Sequence, residues 1–185
     1  MMIQDIEPHR LLNQFDPVAV PTSRDSVLVL RGQQILANIS GEVRYPQVKD
    51  LPENALHDLL YLFAVDDERY FLYTGTDPAI SGYVLTDLKA LREAEPQPKY
   101  RVYAALTGKH LADWYRDTRF CGRCGQAMKH SLQERAMVCS NCGYTAYPRI
   151  MPAVIVGVLN RERDKLLLTQ YRRGYNHNAL IAGFT

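Results

Sequence analysis

Two copies of one short motif stand out in the sequence, Cys121-Gly122-Arg123-Cys124-Gly125 and Cys139-Ser140-Asn141-Cys142-Gly143. Together they contain every cysteine of the chain, in the spacing C-x2-C-x14-C-x2-C. Each motif can fold so that its two sulfurs face one ion, and the glycine that follows provides the positive φ that such a turn needs. The spacer is long enough for a hairpin. The sequence therefore predicts a zinc ribbon in which Cys121, Cys124, Cys139 and Cys142 bind one Zn²⁺.

We expect this zinc to be structural, because four cysteines fill a tetrahedral site and leave no position for water or substrate. Spectator thiols and a redox-active Cys-x-x-Cys pair are the alternatives. In a reducing compartment, clustered thiols favour a metal over disulfides. Several basic residues flank the motifs, and we expect them to offset the negative charge of the site rather than to contact nucleic acid: Arg116, Arg119, Arg123 and Lys129.

The composition is that of an ordinary globular protein. The chain has 185 residues, of which 46% are hydrophobic and 23% charged, and this excludes a disordered or collagen-like chain. Its net charge of only +2 argues against a dedicated nucleic-acid binder. No apolar run reaches the ~18–20 residues of a membrane span, and the first residues do not resemble a signal peptide. We therefore predict a cytoplasmic protein that makes no membrane contact.

The first hundred residues are rich in predicted strands. Two apolar pairs, 27–30 with 35–39 and 59–65 with 70–73, flank polar turns and predict two hairpins. Leu85, Leu88 and Leu91 predict a short helix, with Thr86 or Asp87 as its N-cap, that ends before Pro96.

A Pro96-Gln97-Pro98 break is expected next, and small and apolar residues from Ala104 to Tyr115 then predict a helix leading into the cysteines. After the cysteines, apolar stretches at 153–159, 165–171 and 179–181 predict three strands. The expected fold class is α+β with a mainly antiparallel sheet. The predicted domains are residues 1–105, a connecting helix at 106–118, the zinc ribbon at 119–147 and the start of a further domain at 148–185.

Five stretches around and after the cysteines share the order and spacing of a known family: Leu111–Arg116, Phe120–Gly125, Ala136–Cys142, Ala146–Pro152 and Ala179–Phe184. They resemble the NADH pyrophosphatase branch of the Nudix hydrolases, closely from about Arg92 onward and only as a divergent domain over residues 1–90. The resemblance implies a mixed α/β N-terminal domain, a four-cysteine ribbon and the first strands of a Nudix α/β/α sandwich.

The resemblance also implies an activity. Members of this branch cleave the diphosphate of NADH to reduced nicotinamide mononucleotide and AMP, and some remove NAD caps from RNA. They use Mg²⁺ or Mn²⁺ held by glutamates of the Nudix helix, and they are usually homodimers. Gly183 resembles the first glycine of that motif, and none of the catalytic glutamates follows it in this sequence. We therefore expect the 185-residue chain to be inactive, with no catalytic residue of its own.

Four residues match positions that the family uses to bind its dinucleotide: Arg92, Glu134, Tyr147 and Phe184. The backbone carbonyl of Ala182 matches a ligand of Mg²⁺ or Mn²⁺. Each side chain also has a simpler interpretation. Arg92 can be a helix-end cation and Glu134 a solvated residue of the ribbon edge, while both aromatic residues can belong to the core.

A different function class fits part of the sequence. The chain can be a non-catalytic zinc-ribbon adaptor that binds nucleic acid or another protein. The low net charge argues against nucleic acid as its main partner, and the incomplete set of strands after Pro148 argues against a finished adaptor.

Overall fold

The computed structural model describes residues 4–76, 78–93, 98–174 and 176–184, and the chain divides into two units, Met1–Pro148 and Arg149–Thr185. No helix within these described ranges has both the length and the apolar character needed to cross a membrane. Among its described residues before the cysteines, the first unit contains seven strands, two short 3-10 helices and two α-helices. The strands are β1 Leu11–Leu12, β2 Ser26–Leu28, β3 Leu30–Arg31, β4 Gln34–Ala37, β5 Leu59–Val65, β6 Glu68–Tyr73 and β7 Val84–Asp87.

The strands form two sheets, in the orders β1-β5-β6-β2 and β3-β4-β7. Both predicted hairpins are confirmed: Leu30 pairs with Ile35 across β3 and β4, and Leu59 pairs with Tyr73 across β5 and β6. Among the described residues every ladder is antiparallel except that of β2 with β6. The predicted α+β class with mainly antiparallel sheets is therefore confirmed. The predicted strand 27–30 is wrong in one respect, because it is divided between β2 of one sheet and β3 of the other.

Strand β2 is buried on both of its faces. Leu28 belongs to the larger apolar cluster of the unit, whereas Val27, and Val29 just beyond the strand, belong to a second cluster on the opposite side. The 3-10 helices Val48–Asp50 and Glu53–Asp58 contribute Val48 and Ala55 to that second cluster. The sequence of a strand that is covered on both sides is apolar at every position instead of at every second position. This explains the sequence Val-Leu-Val-Leu at residues 27–30.

The helices are α1 Leu88–Glu93 and α2 Lys99–Asp117. The predicted N-cap Asp87 is confirmed, because its Oδ1 accepts a hydrogen bond of 2.8 Å from the Lys89 backbone N–H. The connecting helix predicted at 106–118 begins earlier, at Lys99, since the buried Val102 extends its apolar stripe by one turn toward Pro98. The expected break at 96–98 lies outside the described residues except for Pro98.

Helix α2 packs closely on the sheet. Its buried residues Val102, Ala105 and Leu111 join the same apolar cluster as Leu28. At Gly108 the backbone comes so close that an added Cβ would overlap Leu28 Cδ1. Glycine at position 108 thus lets the helix lie against Leu28, and a larger residue there would force the Leu28 side chain to shift.

A buried ion pair ties the loop before β2 to strand β6. Asp25 Oδ1 accepts a hydrogen bond of 3.1 Å from Arg69 Nε, and its Oδ2 accepts one of 2.6 Å from the Thr22 backbone N–H. Burial acts to raise the pKa of Asp25, but these donors outweigh it and hold the pKa below 3.8. Ionised Asp25 therefore stabilises the folded state above about pH 4.

We expect this contribution to disappear in acid. Because the folded-state pKa is the lower one, it is lost as the pH falls through that value. Asp25→Asn should lower the free energy of unfolding by about 1–3 kcal/mol at pH 7, and this deficit should shrink as the pH falls toward the folded-state pKa. Urea unfolding at pH 7, 5 and 3 measures this, with the exposed Asp67→Asn as the control. A deficit of the same size at all three pH values would contradict it.

The second unit consists of short strands among its described residues, paired as β11 Ala153–Val156 with β16 Ile181–Phe184, β12 Val158–Leu159 with β13 Leu166–Leu167, and β14 Thr169–Gln170 with β15 Asn178–Ala179. The three expected strands are therefore interrupted, the first of them at Gly157. The last strand extends beyond the predicted Ile181, because residues 181–184 pair with the whole of β11. Most apolar side chains of this unit are exposed.

Candidate functional site

The two cysteine motifs fold into equivalent turns. Gly125 N–H donates to the Cys121 carbonyl at 2.8 Å, and Gly143 N–H donates to the Cys139 carbonyl at 2.9 Å. Both glycines adopt positive φ, +75° and +72°, which residues with a side chain rarely do. The spacer forms the predicted hairpin, β8 Met128–His130 with β9 Met137–Cys139, and β10 Thr145–Ala146 adds a third strand.

The four sulfurs lie where a tetrahedral zinc would need them. Cys121 Sγ is 3.6 Å from Cys142 Sγ, and Cys124 Sγ is 3.5 Å from Cys139 Sγ, so each short contact joins one motif to the other. All four sulfurs lie within 4.8 Å of one another, and no cysteine forms a disulfide. Thiolates at ~2.3 Å from Zn²⁺ in tetrahedral geometry are about 3.8 Å apart. The donor set therefore fits Zn²⁺ and fills its coordination shell.

The electrostatics of the motifs also favour a bound cation. The backbone N–H of Gln126 and the side chain of Asn141 lower the pKa of Cys124 to about 6, which favours its thiolate. At Cys142 the Tyr144 backbone N–H acts to lower the pKa, but burial and the three neighbouring sulfurs outweigh it and raise the pKa. The four thiols therefore cannot all ionise together unless a cation offsets their charge.

The ribbon shares its apolar core with the rest of the first unit. Cys121, Cys139 and Met137 belong to the same buried cluster as Trp114 and Tyr115 of α2. Arg135 adds a polar connection, since its Nη2 donates to the Leu62 carbonyl of β5 and its guanidinium lies 5.8 Å from the Phe15 ring centre. No local sequence pattern indicates this role of Arg135, because its partners lie far away along the chain.

The structure places two of the predicted dinucleotide-binding residues in contact. Tyr147 Oη donates a hydrogen bond of 2.8 Å to Glu134 Oε1. This bond raises the pKa of Tyr147, because the carboxylate accepts from the protonated phenol. The Tyr147 side chain is 50% exposed, so this pair faces solvent. Tyr147 is therefore not a core residue. A carboxylate and an aromatic ring side by side can accept a hydrogen bond from a hydroxyl or amino group and stack on a planar ring.

The other predicted site residues lie elsewhere in the fold. Arg92 is exposed in the last turn of α1. In the second unit, Ala182 pairs with Ile155, and the Phe184 side chain is 81% exposed at the end of β16. Across the described ranges, the four cysteines form the one cluster of three or more His, Cys, Asp or Glu side chains able to hold a metal. A single carbonyl at Ala182 does not fit Mg²⁺ or Mn²⁺, which takes about six oxygen ligands.

Comparison with known proteins agrees with the ribbon. Residues 116–147 match the family model described as NADH pyrophosphatase zinc ribbon domain. The NAD-capped RNA hydrolase NudC of Klebsiella pneumoniae (strain 342) is 39% identical over 99 residues, which are 53% of this chain and 38% of the relative. The NAD-capped RNA hydrolase NudC of Salmonella paratyphi B is 38% identical over 99 residues, which again are 53% of this chain and 38% of the relative.

The aligned part of this chain thus spans well under half the length of those relatives. The match nevertheless covers both cysteine motifs, which the structure brings together around one metal position. The sequence match and the geometry of the cysteines thus agree on a zinc ribbon similar to that of the NADH pyrophosphatases.

Proposed function

We propose that this protein is a pyrophosphatase of NADH and NAD-type dinucleotides, which cleaves their diphosphate to nicotinamide mononucleotide and AMP. The same cleavage would remove NAD caps from RNA, as the name NAD-capped RNA hydrolase describes for the Klebsiella and Salmonella relatives. The observation that carries the proposal is the ribbon, whose sequence matches the NADH pyrophosphatase model and whose sulfurs have the spacing of a zinc site. We further propose a cytoplasmic location and a homodimer.

Under this proposal the residues of the first unit bind and orient the substrate. The Glu134 carboxylate accepts a hydrogen bond from a hydroxyl or amino group of the dinucleotide. The Tyr147 ring stacks on a planar ring while its hydroxyl holds Glu134 in position. The guanidinium of Arg92 pairs with a phosphate, and Phe184 supplies a second aromatic surface. The zinc holds the ribbon in shape and takes no part in the reaction.

Hydrolysis itself needs a second metal centre. A bound Mg²⁺ or Mn²⁺ would neutralise charge on the diphosphate and lower the pKa of the attacking water. The donor set does not fit such an ion, because Ala182 offers only one carbonyl oxygen. We therefore propose that activity requires a cluster of carboxylates, which the described residues do not form, and that the chain alone binds its substrate weakly.

Glu134→Gln tests the binding role. We expect wild-type chain to bind NADH at about millimolar affinity. The variant should bind about tenfold more weakly, because a hydrogen bond to a charged group contributes about 1.5–3 kcal/mol. NADH titration followed by amide chemical shifts measures both, with the neighbouring, exposed Gln133→Ala as the control. Equal affinity of wild-type and Glu134→Gln chains would contradict the role of Glu134.

A further inference from the structure

We propose that the first unit contains a second ligand site, a basic cleft that binds a small nucleotide through its phosphate. The cleft has a volume of about 690 Å³ and is lined by Arg31, Lys109, Arg116 and Arg119 together with Asp113 and His130. None of the residues assigned above to dinucleotide binding lines it. It lies between the β3 turn, the C-terminal half of α2 and the edge of the ribbon. Cavities of roughly 300–1,000 Å³ are typical of small-molecule sites.

The charge of the cleft favours an anion. Its lining contains four cationic side chains and one carboxylate, a net charge of +3 when His130 is neutral. The whole chain has a net charge of only +2, so its excess positive charge is concentrated here. Partial burial of the ring lowers the pKa of His130, which favours its neutral form.

The carboxylate does not cancel this preference. Asp113 forms ion pairs with Lys109 and, at 2.8 Å, with Arg116 Nη1. It therefore competes with a ligand for these two cations, but the lining as a whole keeps its net positive charge. Within the described residues, Arg119 forms no ion pair at all.

One guanidinium is already oriented. Arg31 Nη1 donates to the Leu30 carbonyl and Nη2 to the Gly75 carbonyl, both at 2.8 Å. These bonds fix the plane of the group, so that little rotamer entropy is left to lose when a ligand binds. A planar guanidinium matches the oxygens of phosphate with two parallel hydrogen bonds. Such a group suits carboxylate and phosphate oxygens alike, and the net charge of +3 in the lining favours the more highly charged phosphate.

The floor of the cleft favours a nucleotide over a bare phosphate or a polymer. Leu30, Leu60 and Leu72 give it an apolar surface, and the His130 ring lies 5.1 Å from the Tyr115 ring. Such a surface suits a base or a sugar. Tyr73 and Tyr115 are both more than nine-tenths buried, so they cannot act as a stacking platform for successive bases of a strand.

The test uses the 185-residue chain and AMP, with inorganic phosphate and an uncapped single-stranded RNA as comparison ligands. We expect AMP to bind about tenfold more tightly than phosphate and more tightly than the RNA per site. Amide shifts of residues 109–119 report on the cleft, whereas those of residues 134 and 147 report on the proposed dinucleotide residues. A lack of AMP binding at the cleft can therefore be distinguished from a lack of dinucleotide binding at residues 134 and 147, on which the proposed function depends.

Substitutions that remove positive charge from the cleft, and one that removes its carboxylate, test whether charge determines AMP binding. Arg116→Gln with Arg119→Gln should weaken AMP binding about tenfold, and Asp113→Asn should strengthen it about threefold. The matched control is Lys89→Gln with Lys129→Gln, which removes the same charge from exposed positions outside the cleft and should change nothing. Equal loss in the control, no gain with Asp113→Asn, or tighter binding of RNA than of AMP would each overturn the proposal.

Discussion

Replacing Cys139 with serine is expected to remove the zinc and unfold the ribbon. Wild-type protein should contain one Zn²⁺ per chain and the variant close to none by elemental analysis. Structural zinc contributes about 10–16 kcal/mol to the folding of small zinc domains, so the loss of one of four thiolates should cost about 3 kcal/mol or more. Hydrogen exchange should speed up first at residues 119–147.

The structure indicates how far the damage spreads. Because Cys139 shares a buried cluster with Trp114 and Tyr115, amides in the last turns of α2 should follow the ribbon. Ser140→Ala is the matched control, since Ser140 is exposed and lies next to Cys139 in the same turn. A wild-type protein without zinc after purification in the absence of chelators, or one with two disulfides by mass spectrometry, would contradict the assignment.

The second large effect concerns catalysis. The 185-residue chain should release no detectable AMP from NADH in the presence of Mn²⁺, because no group of carboxylates in its described residues can hold the ion. Enzymes accelerate such reactions by at least ~10⁶-fold, so the difference from a complete metal site is easily measured. Chromatography of the products follows the reaction.

Two comparisons make this result decisive. Full-length NudC of Klebsiella pneumoniae, assayed on NAD-capped RNA, is the positive control. A chimera carries the C-terminal part of that relative after Thr185 and should release AMP from NADH. Release by the 185-residue chain itself would show that its own residues complete a catalytic site, and an inactive but folded chimera would favour the adaptor function.

Features that depend on local sequence could be predicted well. The cysteine turns need only two sulfurs, a glycine and a few backbone hydrogen bonds, all within five residues, so the motif determines the geometry. The hairpins at 30–35 and 59–73 are similar cases, because a polar turn joins two apolar stretches. The N-cap role of Asp87 could be predicted for the same reason, since a helix N-terminus needs a hydrogen-bond acceptor within reach of its first N–H groups.

Features that depend on distant contacts could not be predicted. Nothing near Val27 shows that β2 pairs in parallel with β6, some 44 residues away. The hydrogen bond between Tyr147 and Glu134, and that of Arg135 with Leu62, exist only because the ribbon folds back on itself and on the sheet. The basic cleft is of the same kind, since its cations come from separate elements and look scattered along the sequence.

The parallel pairing of β2 has a consequence for how the chain folds during synthesis. Strand β1 pairs with β5 and β2 pairs with β6, so both need residues 59–73 as partners. On the ribosome the first strands therefore leave the exit tunnel well before the strands that cover them. Contacts this distant in sequence slow folding and leave apolar strands exposed for longer. The apolar stretch Val27–Leu30 therefore stays without its sheet partner on the nascent chain until residues 59–73 have emerged.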